Sequence, residues 1–213
     1  MKNLRSFLLL LLPLLAVLLQ GCVEMAAVGA GAALLGYEDR RTAGTMVEDE
    51  GIELRATNRV SERFGDRVHV NITSFNRSVL ITGEVPNANT RTEIENIVQG
   101  VPGVRSITNE LQVAGGTSLS SRATDSTITG KVKARFVDSG KFSALHVKVV
   151  TEAAVVYLLG MVTEGEANEA VEIARTTGGV KKVVKIFEYC KPTDAVCARG
   201  GQPKAAEAKK SGS

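Results

Sequence analysis

The sequence predicts an α/β (α+β) fold made of two tandem copies of one small domain, each running helix, strand, strand, helix, strand. Three observations carry this. The run Val79-Leu80-Ile81-Thr82-Gly83-Glu84-Val85 returns as Val156-Tyr157-Leu158-Leu159-Gly160-Met161-Val162, with the two glycines 77 positions apart. Such a fixed offset points to a duplicated unit. Each run is mostly aliphatic and breaks at Gly before a final Val, the pattern of a buried strand ending in a tight bend. Length and composition agree: 213 residues leave each copy roughly 70, and 4% aromatics with no Trp require small cores of Val, Ile, Leu and Ala. Each copy alone is marginal, so packing between them should help.

The chain opens with a secretory layout. Met1 to Gly21 carries Lys2 and Arg5 and then an apolar run from Phe7 to Leu19, too short to span a bilayer comfortably. It ends in Leu19-Gln20-Gly21-Cys22, which resembles the bacterial lipobox, with Cys22 as the acylated residue. Val23 follows where Asp would favour inner-membrane retention, so the acyl chains, palmitate among them, are expected to anchor the protein in the outer membrane, facing the periplasm. Each buried methylene adds about 0.8 kcal/mol, and three chains make the attachment effectively permanent. Met25 to Gly36 reads as a flexible tether, and Asp39-Arg40-Arg41 as a solvated loop whose arginines could otherwise grip a phosphate.

The first copy begins at Val47, where Ile52, Ala56 and Val60 share one helical face and Glu48, Asp49 and Glu50 fall in the expected first turn. The helix should stop near Gly65. Val68 to Ile72 alternates as a half-buried strand, Asn76-Arg77 turns the chain, and Val79 to Val85 returns. A second helix carries Ile94, Ile97 and Val98, Gly100 to Gly103 stops it, and Val104 to Leu111 is the last strand. The second copy follows a Gly, Ser and Thr loop from Gly115 to Ser121. Ile128, Val132 and Phe136 repeat the first helix face, Leu145-His146-Val147 repeats Val68-His69-Val70, Glu164 to Thr177 is the second helix, and Val180 to Tyr189 the last strand. The expected divisions are a signal peptide over 1–21, a lipidated tether over 22–45, domains over 46–114 and 124–190, a linker over 115–123 and a flexible tail over 191–213.

The glycine before Val on the central strand (Gly83-Glu84-Val85-Pro86-Asn87-Ala88), Gly103-Val104 with Asn109-Glu110, and Val162-Thr163-Glu164 resemble the BON domain. With the lipobox and Asp39-Arg40-Arg41 they resemble the dual-BON outer-membrane lipoproteins of the DolP type, over residues 19 to about 189. The resemblance implies in each copy a three-stranded mixed sheet packed on two helices. It also implies binding of anionic phospholipid through the second domain and a role in outer-membrane integrity and cell division.

Catalytic groupings are sparse. His69 and His146 occupy equivalent strand positions and are expected on the polar face, and no Cys-x-x-Cys, His-Glu-x-x-His, phosphate-binding loop or nucleophile elbow occurs. The expectation is no enzyme, cofactor or metal, and a net charge of +3 gives no nucleic-acid reading.

Charge separates the copies. Residues 46–114 hold seven Arg, no Lys and ten acidic residues, about −3; residues 117–190 hold ten basic and eight acidic, about +2. On the first helix of the second copy, the face opposite the core presents Thr127, Gly130, Ala134 and Val137, edged by Lys131 and Lys133. The stretch expected to meet phospholipid comprises Thr127, Ile128, Gly130, Lys131, Lys133, Ala134, Arg135, Val137 and Ser139. Related proteins carry an aromatic at the position of Thr127, so insertion should be weaker and reliance on Lys131, Lys133 and Arg135 greater. The competing reading is a periplasmic adaptor for envelope-assembly or cell-wall proteins. Finally, Cys190 and Cys197 in an oxidising compartment should pair, closing an eight-residue loop worth about 2 to 3 kcal/mol, with a metal pair as the alternative.

Overall fold

The structure, a computed structural model, describes residues 39–114 and 119–198. Cys22, the signal segment, most of the expected tether, residues 115–118 and the tail from 199 onward lie outside the described residues.

Helix α1, Ala43–Phe64, begins four residues before the predicted Val47 because Thr42 caps it: its Oγ1 accepts the Thr45 N–H at 3.1 Å. Glu48, Asp49 and Glu50 therefore lie beyond the first turn, and residues 39–45 belong to the folded body rather than to a tether. Ile52, Ala56, Val60 and Phe64 form its buried stripe. Gly65, at φ 55° and ψ −135°, ends the helix in a positive-φ conformation that favours glycine. Strands β1, His69–Phe75, and β2, Ser78–Val85, pair antiparallel across a turn in which Asn76 and Arg77 both have positive φ. Helix α2, Ala88–Gln99, is capped by Asn87.

The last strand of this copy is broken, unlike the continuous strand predicted over 104–111. Strands β3, Ser106–Asn109, and β4, Gln112–Val113, both run parallel to β2. Between them Asn109 Oδ1 accepts the Leu111 N–H, and the bend drops Leu111 into the core at 1% exposure.

Helix α3, Leu119–Ser139, starts inside the predicted linker. Strands β5, Val147–Glu152, and β6, Val155–Val162, form the second hairpin, and helix α4, Glu164–Arg175, carries a full capping box from Thr163 and Glu166. Strand β7, Lys182–Tyr189, pairs parallel with β6 along its length. A short helix α5, Ala195–Ala198, follows, and Cys190 and Cys197 form the predicted disulfide.

Each copy has its own core between helices and sheet: Ile52, Val79, Ile81 and Ile94 in the first, Ile128, Val132, Phe136, Val156 and Leu158 in the second. A third cluster joins the copies, with Phe75 and Leu80 packed on Tyr157 and Leu159. Alternation along β2 thus sends Val79 and Ile81 to its own helices and Leu80 to the other sheet. Covering on both faces explains why the central strands read as continuous apolar runs. Each of these large side chains contributes about 1.5–3 kcal/mol on burial.

Candidate functional site

The hairpin turns are supported identically in both copies. Buried Asp49 accepts the N–H groups of Asn76 and Arg77 at 2.8 and 2.7 Å, and buried Asp125 those of Ala153 and Ala154 at 3.0 and 2.8 Å. Two carboxylates, each accepting two N–H groups, hold four non-glycine residues at positive φ. The equal offset of the two aspartates was the available sequence signal.

The glycines of the two central strands serve backbone contact. A Cβ on Gly83 would stand 2.0 Å from the His69 carbonyl oxygen, and one on Gly160 2.4 Å from that of His146. Only glycine allows the two strands of each hairpin to close there.

Arg40 and Arg41 are not solvated. Arg40 is 5% exposed; its guanidinium donates to both Glu166 oxygens at 2.7 and 2.9 Å, to the Met161 carbonyl at 2.8 Å and to the Cys197 carbonyl at 3.2 Å. Arg41 pairs with Asp39 and Asp49 and lies 4.2 Å from the centroid of the Phe75 ring. The segment before α1 is thereby fixed to the second copy and to the disulfide loop. Sequence reasoning missed this because Glu166 lies 126 positions from Arg40 and no local pattern signals it. Burial pushes the Glu166 carboxyl toward higher pKa, but hydrogen bonds from His146, Arg40 and the Thr163 N–H outweigh it and hold it well below the usual carboxylate range.

The histidines differ from expectation. His146 lies in a 3-10 turn before β5, is 2% exposed rather than on a polar face, and places Nδ1 3.2 Å from Glu166 Oε1. His69 is half-buried at the start of β1. The backbone equivalence holds; only in the second copy does a capping carboxylate draw the ring inward.

The structure divides the expected phospholipid-contacting residues of α3. Thr127, Gly130, Lys131, Lys133, Ala134 and Val137 are exposed, Val137 at 68%. Among the described residues Lys131 and Lys133 make no ion pair. Three members are engaged within the fold: Ile128 is buried, and Arg135 and Ser139 are half-buried. Ile128 is 2% exposed in the core, because it shares the stripe of Val132 and Phe136. Arg135 donates to the Ile173 carbonyl and Thr177 Oγ1, both at 2.7 Å, and to Thr176 Oγ1, so its guanidinium holds the end of α4. Its counterpart Arg59 donates to the Gly100 carbonyl in the same way. Ser139 Oγ donates to the Phe136 carbonyl and closes the helix.

The matching face of α1 is different in kind. Arg55, at the position of Lys131, bonds Glu48 and the Pro102 carbonyl; Arg63 pairs with Glu93 at 2.6 Å. Arg55, Arg59 and Arg63 on α1 all bond within the first copy, whereas among the described residues Lys131 and Lys133 on α3 make no ion pair. Among the described residues no helix is long and apolar enough to cross a membrane.

The BON domain family model matches residues 52–115 and 124–191. The chain is 38% identical over 175 residues to outer membrane lipoprotein DolP of Haemophilus influenzae, covering 81% of this chain and 91% of that protein. It is 32% identical over 153 residues to a 21 kDa hemolysin of Actinobacillus pleuropneumoniae, covering 71% and 79%. Osmotically-inducible protein Y of Escherichia coli matches at 30% over 117 residues, 54% and 58%. A solved structure of the C-terminal domain of CdsD, a structural protein of the type III secretion system of Chlamydia trachomatis, aligns over 68% of this chain and 98% of its own at 13% identity. Its TM-score of 0.29 carries no argument.

Proposed function

The chain belongs to the BON-domain family, and from that premise we propose that it is a non-enzymatic outer-membrane lipoprotein, held by acyl chains on Cys22, that binds anionic phospholipid through α3 of its second domain. The observation that supports this most is the pair of unengaged lysines, Lys131 and Lys133, beside the open surface of Gly130, Ala134 and Val137. A bilayer can approach that surface without breaking an internal contact. Similarity to an outer membrane lipoprotein over most of the chain supports the location, and support of envelope integrity at the division site is the role that fits it.

The energetics favour a peripheral contact over insertion. Each basic residue near an anionic surface contributes about 1 kcal/mol, so two lysines contribute about 2 kcal/mol, enough for only weak binding without the anchor. With Arg135 committed to α4, the balance rests on the anchor, which raises the effective concentration of the domain at the membrane. Thr127 adds little apolar area, and its hydroxyl donates back to the Ala123 carbonyl.

A photoreactive side chain placed at Ala134 tests the proposal in cells. Lipid adducts that diminish when anionic phospholipid is depleted are expected. Adducts confined to a protein, unchanged by lipid depletion, would instead establish the adaptor reading.

A further inference from the structure

We propose that His69, Glu84 and Glu152 form a divalent-cation site that joins the first domain to the second. His69 and Glu84 are direct cross-strand partners on β1 and β2, and Glu152 ends β5 of the other copy. One ligand atom from each lies within 4.8 Å of the others. Both carboxylates are 5% exposed, and the imidazole beside them is half-buried. Two carboxylates this close in a poorly solvated seam repel each other, and a dication relieves that repulsion while satisfying oxygen lone pairs on both.

The surroundings suit a metal. Asn71 Nδ2 donates to Glu152 Oε2 at 2.7 Å, so it orients that carboxylate from outside the coordination sphere. Two clefts of ≈ 650 and ≈ 400 Å³ both reach His69 and give an ion and its water a way in. Arg67 and Asp66 line the first cleft, Asp125 the second, and Arg122 both. Asp125 is committed to its hairpin turn. Tetrahedral coordination at about 2.0–2.2 Å places donor atoms roughly 3.3–3.6 Å apart, which small side-chain rotations reach from here. One imidazole with two carboxylates suits Zn²⁺ and its first-row neighbours better than Ca²⁺ or Mg²⁺, which prefer oxygen alone. The duplication offers one such site: Met161 stands where the second copy would need Glu84, and Phe75 where the first would need Glu152.

Calorimetric titration of the full chain with ZnCl2 tests the proposal. We expect one Zn²⁺ per chain, a Zn²⁺-dependent rise in Tm, and at least a tenfold loss of affinity in both His69→Gln and Glu152→Gln. Binding that is absent, or unchanged in both variants, overturns it. Should a variant fail to fold, wild-type protein titrated with Co²⁺ decides the matter by NMR: perturbation of the His69 ring before that of His146 supports the site, and the reverse order refutes it.

Discussion

Replacing Arg40 by Ala removes one partner from a buried ion pair without removing the other. Glu166, 16% exposed at its side chain, keeps His146 and the Thr163 N–H but loses both guanidinium bonds. The Met161 and Cys197 carbonyls each lose a donor as well. Leaving a buried charge uncompensated costs about 3–5 kcal/mol, a large share of the roughly 5–15 kcal/mol that stabilises a folded domain. At roughly 2–4 °C per kcal/mol for a body of this size, Tm should fall by about 6–20 °C. The assay is thermal and urea unfolding of wild type, Arg40→Ala, Glu166→Gln and the double variant. Because the two side chains act on each other, the double variant should cost at least about 1 kcal/mol less than the sum of the singles. An Arg40→Ala protein within about 1 kcal/mol of wild type, or strictly additive effects, would refute the claim that this residue ties the N-terminal segment to the second domain.

Three further outcomes are expected. Asp125→Ala, which leaves the Ala153 and Ala154 N–H groups without their carboxylate, should cost about 2–3 kcal/mol in urea unfolding, and Asp49→Ala no less, since it also bonds Arg41 and Ser74. Because the folded-state pKa of Glu166 is depressed, its stabilisation is complete above about pH 5 and is lost as pH falls through the folded value; Glu166→Gln should flatten the loss of stability on acidification below about pH 5. Gly83→Ala should lower the free energy of unfolding by more than about 2 kcal/mol, because its Cβ would collide with the His69 carbonyl in a backbone conformation at φ 119° that suits glycine; an unchanged free energy of unfolding would mean that the hairpin closes differently.

Most of the architecture was legible because a duplicated chain states its pattern twice. Val79 to Val85 and Val156 to Val162 are covered on both faces, so their apolar content survives in both copies and sets the register. The beginning of α1 was not legible: Ala43-Gly44-Thr45 looks like loop, and the cap that starts the helix is one threonine hydroxyl. The role of Arg40 was hidden for a different reason, since its partners come from β6, α4 and the disulfide loop, all far along the chain. On α3 the exposed face was read correctly from periodicity, but Ile128 and Arg135 were drawn in by adjacency. Arg59 occupies the matching position of the first copy, so the repeat itself marked Arg135 as part of the shared scaffold, and the structure shows both bonding the end of the following helix.

Flotation with vesicles of the chain from Val23 onward, which lacks Cys22 and the apolar run of residues 7–19, tests the central claim most directly, since it leaves α3 to act without the anchor. The account predicts weak recovery with vesicles containing phosphatidylglycerol, none with zwitterionic vesicles, loss at high salt, and loss in Lys131→Glu with Lys133→Glu. Equal recovery of the charge-reversed protein with anionic vesicles would contradict it.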